Sequence, residues 1–417
     1  MKFVLETGTN LLFKKESDFM YAVGIDVSKN KSTVAIIKDG EIFVKPFSIN
    51  HTDDGINLLV SKLSDIDPND IRFVMEATGI YHFPLLIKLL DLKYFVSVEN
   101  AFLLKKFFDV SLRKVKTDKL DAVKIAKYAY SNWFNLKPYC IQDSTYTDLQ
   151  FLSRQYSQFM ALKVKAKVNF NNLLDVIFPG FENCFNDDSN QYDFMLDVFE
   201  KFYHPSLITK LTEPEFLEQI IQINLDKKRG LRTTITKIAH ELYILANSTL
   251  SARPVNESTQ LICLTCVNNL RGLELATNDI LTQMDSIAST LPEFNTVSAM
   301  SGVGKKTRAR LIAEIGNIRK YNSASSLVAS AGIDTPPYQS GNFSAIQTHI
   351  TKRGNKHLRK CGYEIMRALK IVKPTNDSAV YEYILKKEAE GKNKNVCKIA
   401  GLNKFLRIYY ARVSELY

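Results

Sequence analysis

The sequence predicts three regions of different class: an α/β domain on a mixed sheet, a pair of long coiled-coil helices, and a mostly helical, basic C-terminal domain. Three observations carry this. Five short apolar segments before position 100 come as three in succession and then two alternating with helical segments. Two long stretches, 145–178 and 257–291, place apolar side chains at alternating spacings of three and four. Residues 301–417 hold about 22 Lys/Arg against about 8 Asp/Glu, a surplus of about 14 positive charges, so the rest of this +11 chain is slightly acidic.

Residues 21–28 read as a buried strand ending at Asp26, and 32–38 and 41–48 as two more, joined at Asp39-Gly40, a hairpin signal. A helix over about 53–64 leads to a fourth strand, 71–76, which delivers Glu76 to its end. A helix at about 81–91, a strand at 94–98 and helices from about 101 to 131 follow. Three antiparallel strands followed by alternating helix and strand is the pattern of a ribonuclease H-like α/β fold. Residues 145–178 form one long helix with Leu149, Leu152, Tyr156, Phe159, Ala166, Phe170, Leu173 and Ile177 in register and Lys163 as the exception. The second spans about 257–291, through Cys263, Cys266, Leu270, Leu273, Thr277, Ile280, Met284, Ile287 and Leu291. The two could pair with each other or across subunits, with residues 181–250 as a helical insertion at the tip. The expected division is an N-terminal extension over 1–20, the α/β domain over 21–140, the coiled coil with its insertion over 141–291, and the C-terminal domain over 292–417.

The chain has 417 residues, 45% of them apolar and 24% charged, ordinary for a soluble globular protein of two or three domains. It has no apolar run long enough to span a membrane, and the segment 1–20 lacks the continuous hydrophobic core of a secretory signal. Six scattered cysteines make no disulfide framework, so a reducing, cytoplasmic compartment is expected. Cys263-Leu264-Thr265-Cys266 has half-zinc or redox spacing, yet both cysteines occupy core heptad positions and no second pair exists; packing is the expectation.

Asp26, Glu76, Asp118 and Asp121 are the chemical signal. Phosphoryl transfer on nucleic acid commonly employs two Mg²⁺ ions, which require three or four carboxylates converging from different elements. Asp118 and Asp121 share one face of a helix, and taken alone they read as solvated acids. Asp26 and Glu76 end apolar strands, where a buried carboxylate costs several kcal/mol unless it is paired or binds a metal. Lys105, Lys106, Arg113, Lys114, Lys116 and Lys119 border the acidic pair and could hold a nucleic-acid backbone beside it or form a solvated helix face.

Downstream, Ser301-Gly302-Val303-Gly304-Lys305-Lys306 resembles a helix-hairpin-helix element, in which Gly302 and Gly304 would expose backbone N–H groups to a phosphate and Lys305 and Lys306 add charge. It does not meet the spacing of a P-loop. Pro336-Pro337-Tyr338-Gln339-Ser340-Gly341 reads as a loop in which Ser340, on residue type alone, is most simply part of a turn. A serine can also attack a phosphodiester if its deprotonation is assisted. Lys352, Arg353, Lys356, Arg359 and Lys360 follow at the start of a helix, placed for phosphates. His349 and His357 suit phosphate contact or the surface better than a metal, and Tyr338 could stack on a base or pack locally.

Together, Gly-Ile-Asp-Val-Ser-Lys, Met-Glu-Ala-Thr-Gly, Lys-Thr-Asp-Lys-Leu-Asp-Ala, Ser-Gly-Val-Gly and Ala-Gly-Ile through Ser-Gly to Lys-Arg-Gly-Asn resemble the DEDD transposases of the insertion-sequence one-ten family, relatives of the Piv DNA invertases. The resemblance runs from about Tyr21 to Lys373. It implies a RuvC-like N-terminal domain, a coiled-coil linker and a C-terminal transposase domain. It further implies Asp26, Glu76, Asp118 and Asp121 as the Mg²⁺-binding tetrad, with Mn²⁺ as a substitute, and Ser340 as a nucleophile that joins covalently to DNA. The implied partners are donor and target DNA, a structured "bridge" RNA, and further copies of the chain, a homodimer pairing into a tetramer with sites shared between subunits. No nucleotide cofactor is implied, because the phosphodiester energy is retained. The alternative is a RuvC-like, metal-dependent junction-resolving endonuclease using water. A non-catalytic RNA-binding protein is a third reading and requires a vestigial tetrad. Ile333 and Pro337 depart from the family's usual residues, and the Lys-rich tail beyond 374 is weakly covered.

Overall fold

In the computed structural model, residues 19–77, 81–108, 117–139, 143–185, 189–226, 232–335, 339–340, 343–344 and 349–417 are described. The chain divides into two compact units, Met1–Ile141 and Gln142–Tyr417.

The first unit runs β1 (Tyr21–Val27), β2 (Lys31–Lys38), β3 (Glu41–Asn50), α1 (Asp53–Ser61), β4 (Ile71–Glu76), α2 (Phe83–Asp91), β5 (Phe95–Glu99), α3 (Ala101–Phe108) and α4 (Asp118–Ser131). Its sheet has the order β3-β2-β1-β4-β5. β1–β2 and β2–β3 are antiparallel, whereas β1–β4 and β4–β5 are parallel. This five-stranded mixed sheet is consistent with the ribonuclease H-like pattern expected. The Asp39-Gly40 turn has both residues at positive φ, +47° and +91°, as a two-residue hairpin requires.

Alternation along β1 separates two faces. Val23, Ile25 and Val27 join a core with Leu59, Leu85 and Leu89 of α1 and α2. Ala22 packs instead with Ile125 and Ala129 of α4. Gly24 lies on that second face, where a Cβ would fall 2.2 Å from the Ala126 nitrogen and 2.4 Å from the Ala122 oxygen. The absence of a side chain there lets α4 lie directly on β1.

The second unit begins with α5 (Ser144–Ile177) and continues through α6 (Ser189–Lys201), α7 (Pro205–Ile208), α8 (Glu213–Asp226), α9 (Arg232–Ser248) and α10 (Glu257–Ala288). The pairing of the two long helices, open from sequence, is made within the chain. Lys163 of α5 is ion-paired with Glu274 of α10, and the Asn169 amide lies 3.5 Å from the Cys266 sulfur. Numbers rise on one helix as they fall on the other, so they run antiparallel. The exceptional heptad lysine is thereby given a carboxylate. Phe170, Leu174, Ile177, Cys263, Cys266 and Leu270 share a core with α6–α9, the expected insertion. The thiols of Cys263 and Cys266 are buried, and burial pushes Cys263 up to about 12. That is the packing role expected of them.

The remainder comprises α11 (Phe294–Ser298), α12 (Arg308–Ile315), α13 (Ala324–Ser330), a two-strand ladder of β6 (Gln339–Ser340) and β7 (Phe343–Ser344), α14 (Lys356–Val372), α15 (Ala379–Ala389) and α16 (Lys394–Ser414). One core joins α12–α16 to Tyr146, Leu149, Met284 and Ala288 at the base of the long helices.

Candidate active site and nucleic-acid interface

In the first unit the sheet aligns three carboxylates. The parallel register pairs Ile25 with Met75, so Asp26 and Glu76 each stand one residue beyond that last shared rung. Glu76 pairs in turn with Glu99 of β5. Residues aligned across parallel strands point to the same face, and Asp26, two residues past Gly24, points to the face covered by α4. All three are half-buried. α4 starts at this edge: the Thr117 hydroxyl accepts from the Leu120 N–H at 3.3 Å as its N-cap, which places Asp118 and Asp121 in the first turn. Ala122, directly after Asp121, is one of the two residues that meet Gly24. β1 advances toward Asp26 as α4 runs back toward Asp118, so the same edge of the unit receives acids from three strands and one helix. Asp118 is exposed, and Asp121 is half-buried 3.5 Å from the Lys124 ammonium.

Glu99 escaped the sequence reading because the strand was ended at residue 98. As a strand-end acid it carries the same signal as Glu76. It accepts from the Ser97 hydroxyl at 2.8 Å and from the Tyr128 hydroxyl at 3.5 Å. Burial and the Glu99 charge together raise the Tyr128 phenol above its ordinary value.

The donor set is all hard oxygen, the type Mg²⁺ selects. Among the described residues, however, no three His, Cys, Asp or Glu side chains converge closely enough to hold a metal ion as they stand. The oxygen donors suit a divalent cation by type, and among the described residues they form no closed cage. Lys105 and Lys106 are exposed on α3, and Lys119 on α4. Arg113, Lys114 and Lys116 lie outside the described residues.

The serine segment in the second unit differs from the loop expected. Gln339 pairs with Ser344 and Ser340 with Phe343, so Ser340 ends a short strand paired antiparallel with the next. Gly-Asn between paired segments is itself a hairpin signal, outweighed in the sequence by the prolines before it. Pro337, Tyr338 and Gly341 lie outside the described residues.

Both flanks of this hairpin form a stem. The Thr351 N–H donates to the Asp334 carbonyl at 3.0 Å, Lys352 N–H to the Gly332 carbonyl at 2.9 Å, and Asn355 N–H to the Ser330 carbonyl at 2.6 Å. The Thr351 hydroxyl adds a bond to the Asp334 carboxylate at 2.5 Å. Gly354 is closed in so tightly that a Cβ would lie 2.1 Å from the Ser330 oxygen. The two halves of the C-terminal motif, Ala-Gly-Ile and Lys-Arg-Gly-Asn, are thus one clasp around the segment that carries the serine.

Asn355 also caps α14, its side-chain oxygen accepting from His357 and Leu358 N–H groups. Its amide donates to Glu314 at 2.7 Å. Glu314, only 2% exposed, accepts as well from the Ser153 hydroxyl of α5 at 2.8 Å. Sequence reasoning missed Glu314, which sits in the buried helix α12 far along the chain from both partners, with no local pattern to mark it. Burial lowers the His357 imidazole, with the Glu314 charge opposing. Lys352, Arg353 and Lys356 are exposed around the stem, while Arg359 spends a donor on the Ala331 carbonyl at 2.8 Å.

The glycine hairpin departs from expectation. The Ser301 N–H donates to Asp377, Val303 N–H to the Met300 carbonyl, and Gly304 N–H to the Thr307 hydroxyl at 3.0 Å. Those amides hold the turn itself, leaving exposed Lys305 and Lys306 as its cationic offering.

The comparisons with known proteins fit these two halves. A family model described as "Transposase", of the DEDD IS110 type, matches residues 23–179. A second, "Transposase IS116/IS110/IS902 family", matches residues 295–382. The pilin gene-inverting protein of Moraxella bovis is 31% identical over 146 residues, 33% of this chain and 44% of that protein. That of Moraxella lacunata is likewise 31% identical over 146 residues. The chain therefore matches less than half the length of these curated relatives. The two family models, however, cover the acidic edge and the glycine hairpin through the serine clasp, more than half of the chain between them, and the chain belongs to the IS110 family of transposases.

Proposed function

We propose that the protein is a DNA transposase and site-specific recombinase that exchanges strands through a covalent Ser340–DNA intermediate. The observation that carries this reading is the common edge of Asp26, Glu76, Asp118 and Asp121 in a family whose models also cover the Ser340 clasp. The RuvC-like assignment of the first unit rests on its strand order. The Ser340 Oγ attacks a phosphodiester, an Oγ–phosphorus bond forms, the bond to the 3′ oxygen breaks, and the hydroxyl proton passes to a carboxylate or water. The 3′-hydroxyl of a second duplex then attacks the phosphoserine, which restores Ser340 and rejoins the strand without a nucleotide cofactor.

Divalent magnesium, held by Asp26, Glu76, Asp118 and Asp121, would supply charge stabilisation to the attacking and leaving oxygens. Ser340 and Asp121 stand far apart in sequence, with the long helices between them, and we infer sites shared between subunits, as a dimer pairing into a tetramer. Lys352, Arg353, Lys356, Lys305, Lys306, Lys105 and Lys106, together with Arg113 and Lys114, are assigned to donor and target DNA and a bridge RNA, and Arg359 to the clasp that presents them. The name of the two relatives, pilin gene-inverting protein, supports site-specific exchange as the reaction class.

The test is a trapped covalent adduct with end-labelled DNA from the element's junction. Wild type forms it in Mg²⁺, and Ser340→Ala, Asp26→Asn and Glu76→Gln do not. Persistent adduct with Ser340→Ala sinks the serine assignment. Full Mg²⁺-dependent cleavage by that variant without an adduct favours the water-using endonuclease.

A further inference from the structure

A cavity of about 670 Å³ lies between the stem of the serine hairpin and the last helix pair. Ile333, Thr335, His349 and Ile350 of the stem line one side, and Tyr383 of α15 another. The third side is one stripe of α16: Val396, Ile399, Ala400, Asn403, Lys404 and Arg407. These positions recur at helical spacing on one face, and the stripe changes from apolar to amide to cationic along its length. Ala400 to Arg407 spans about 10 Å at 1.5 Å per residue, room for one base and its phosphate.

The chemistry at each end is distinct. Val396 is 55% exposed at the cavity's lip, an apolar side chain left to water unless something covers it. Lys404 donates to the Ala379 carbonyl at 2.9 Å and Arg407 to the Asn403 side chain at 2.9 Å. Both are held in place by neutral acceptors, and the described residues of the lining include no Asp or Glu. Neither is in an ion pair among the described residues. The Lys404 ammonium also lies 5.1 Å from the Tyr383 ring centre. An apolar slot with an aromatic wall and an uncompensated positive end suits a nucleotide, with the base buried and the phosphate paired.

We propose that this cavity seats one unstacked nucleotide of the DNA strand presented to Ser340, its base against Val396, Ile399 and Ala400 and its phosphate on Lys404 and Arg407. The commitment to DNA comes from the stem: Thr335 and His349 are the described residues nearest the hairpin in sequence on either side, so the cavity opens at the root of the serine's own segment. This rests on the reading of Ser340 as a residue that acts on DNA.

The test uses the full chain and two DNA duplexes, one fully paired and one with a single bulged 2-aminopurine, compared by anisotropy and by the fluorescence of the probe. Wild type should prefer the bulged duplex about tenfold, within what one stacked base contributes. Ala400→Trp, which fills the slot, should abolish that preference. Arg407→Gln, a change at an exposed side chain, should lower the salt slope for the bulged duplex by about one; this readout stands if Ala400→Trp fails to fold. Equal binding of both duplexes by wild type, or a preference that survives Ala400→Trp, overturns the seat. Tighter binding of the same bulge in RNA overturns the assignment to DNA. A change of oligomeric state in Ala400→Trp with unchanged DNA binding assigns the cavity to contacts between copies and also overturns it. Ser340→Ala should keep the bulge preference while losing the adduct, so failure of the serine chemistry and failure of the seat are read separately.

Discussion

The acidic edge and the serine clasp solve one problem, fixing a reactive side chain, by opposite means. The acids of the first unit are placed by apolar packing of a helix on a strand: Ala22 against Ile125 and Ala129, and Gly24 against Ala122 and Ala126. The serine of the second unit is placed by polar bonds, from Thr351, Lys352 and Asn355 to the chain before the hairpin, anchored on buried Glu314. Packing tolerates the loss of a hydrogen bond and fails on added volume. A polar clasp also fails when a partner is removed, because the remaining groups stay buried and unsatisfied. Each region has its own reporter. Trp133, the chain's one tryptophan, packs against α4 in the first unit. Cys361, 1% exposed in α14, lies in the core of the second.

The largest effect should come from Gly24→Ala. The new methyl group meets two backbone atoms of α4, at 2.2 and 2.4 Å, and neither can rotate away. We expect a loss of about 3 kcal/mol in the unfolding followed by Trp133 fluorescence, with Cys361 alkylation unchanged and adduct formation lost. A Trp133 midpoint within error of wild type would show that α4 does not rest on β1 at this point.

Gly354→Ala is the counterpart. Its methyl group would meet the Ser330 oxygen at 2.1 Å and the Gly332 nitrogen at 2.4 Å. A shift of the stem can relieve part of this, so about 2 kcal/mol is expected. Here Cys361 alkylation should accelerate while the Trp133 transition stays put. Coincident movement of both reporters in either variant would break the contrast between the regions.

What could be read from sequence divides along the same line. The sheet was legible because apolar alternation and Asp39-Gly40 are local signals, whereas the start at Thr117 of the helix bearing Asp118 and Asp121 went unread within a helical stretch from about 101 to 131. The heptads of the long helices were legible, though their choice of partner was not, since identical seams serve pairing within or between chains. The clasp was visible only as two motifs. That Thr351 and Asp334 meet, or that Asn355 reaches Glu314, depends on long-range closure that no periodicity encodes. The Gly-Val-Gly turn shows the same limit: its Val303 and Gly304 N–H groups bond to Met300 and Thr307, and the neighbouring Ser301 N–H to Asp377 far downstream, partners that the turn motif alone does not name.

A smaller effect is expected at Glu314. Glu314→Ala strands the Ser153 hydroxyl and the Asn355 amide, a cost of about 1–2 kcal/mol in the second unit. Glu314→Gln keeps the shape and one acceptor and should recover about half of it. Adduct formation should fall with Ala and return partly with Gln. If both variants match wild type in Cys361 alkylation and adduct yield, the clasp does not depend on its anchor.

The smallest effect concerns pH. Burial raises the Cys361 thiol from its ordinary value near 9 to about 12. Unfolding frees a thiol that ionises near 9, so the folded state holds a proton that the unfolded state gives up. Stability from this group is therefore unchanged below about pH 9 and falls as pH rises from 9 toward 12. At pH 10.5 the loss is about 2 kcal/mol at most. Cys361→Ala removes the group, so the variant should be less stable than wild type at pH 8 through lost packing, and the gap should narrow by pH 10.5. Alkylation of Cys397, buried in the same core, serves as the reporter in both proteins at matched pH. A gap that stays constant from pH 8 to 10.5 would mean that the core around α14 admits water, and the serine clasp would then have no dry foundation within its own unit.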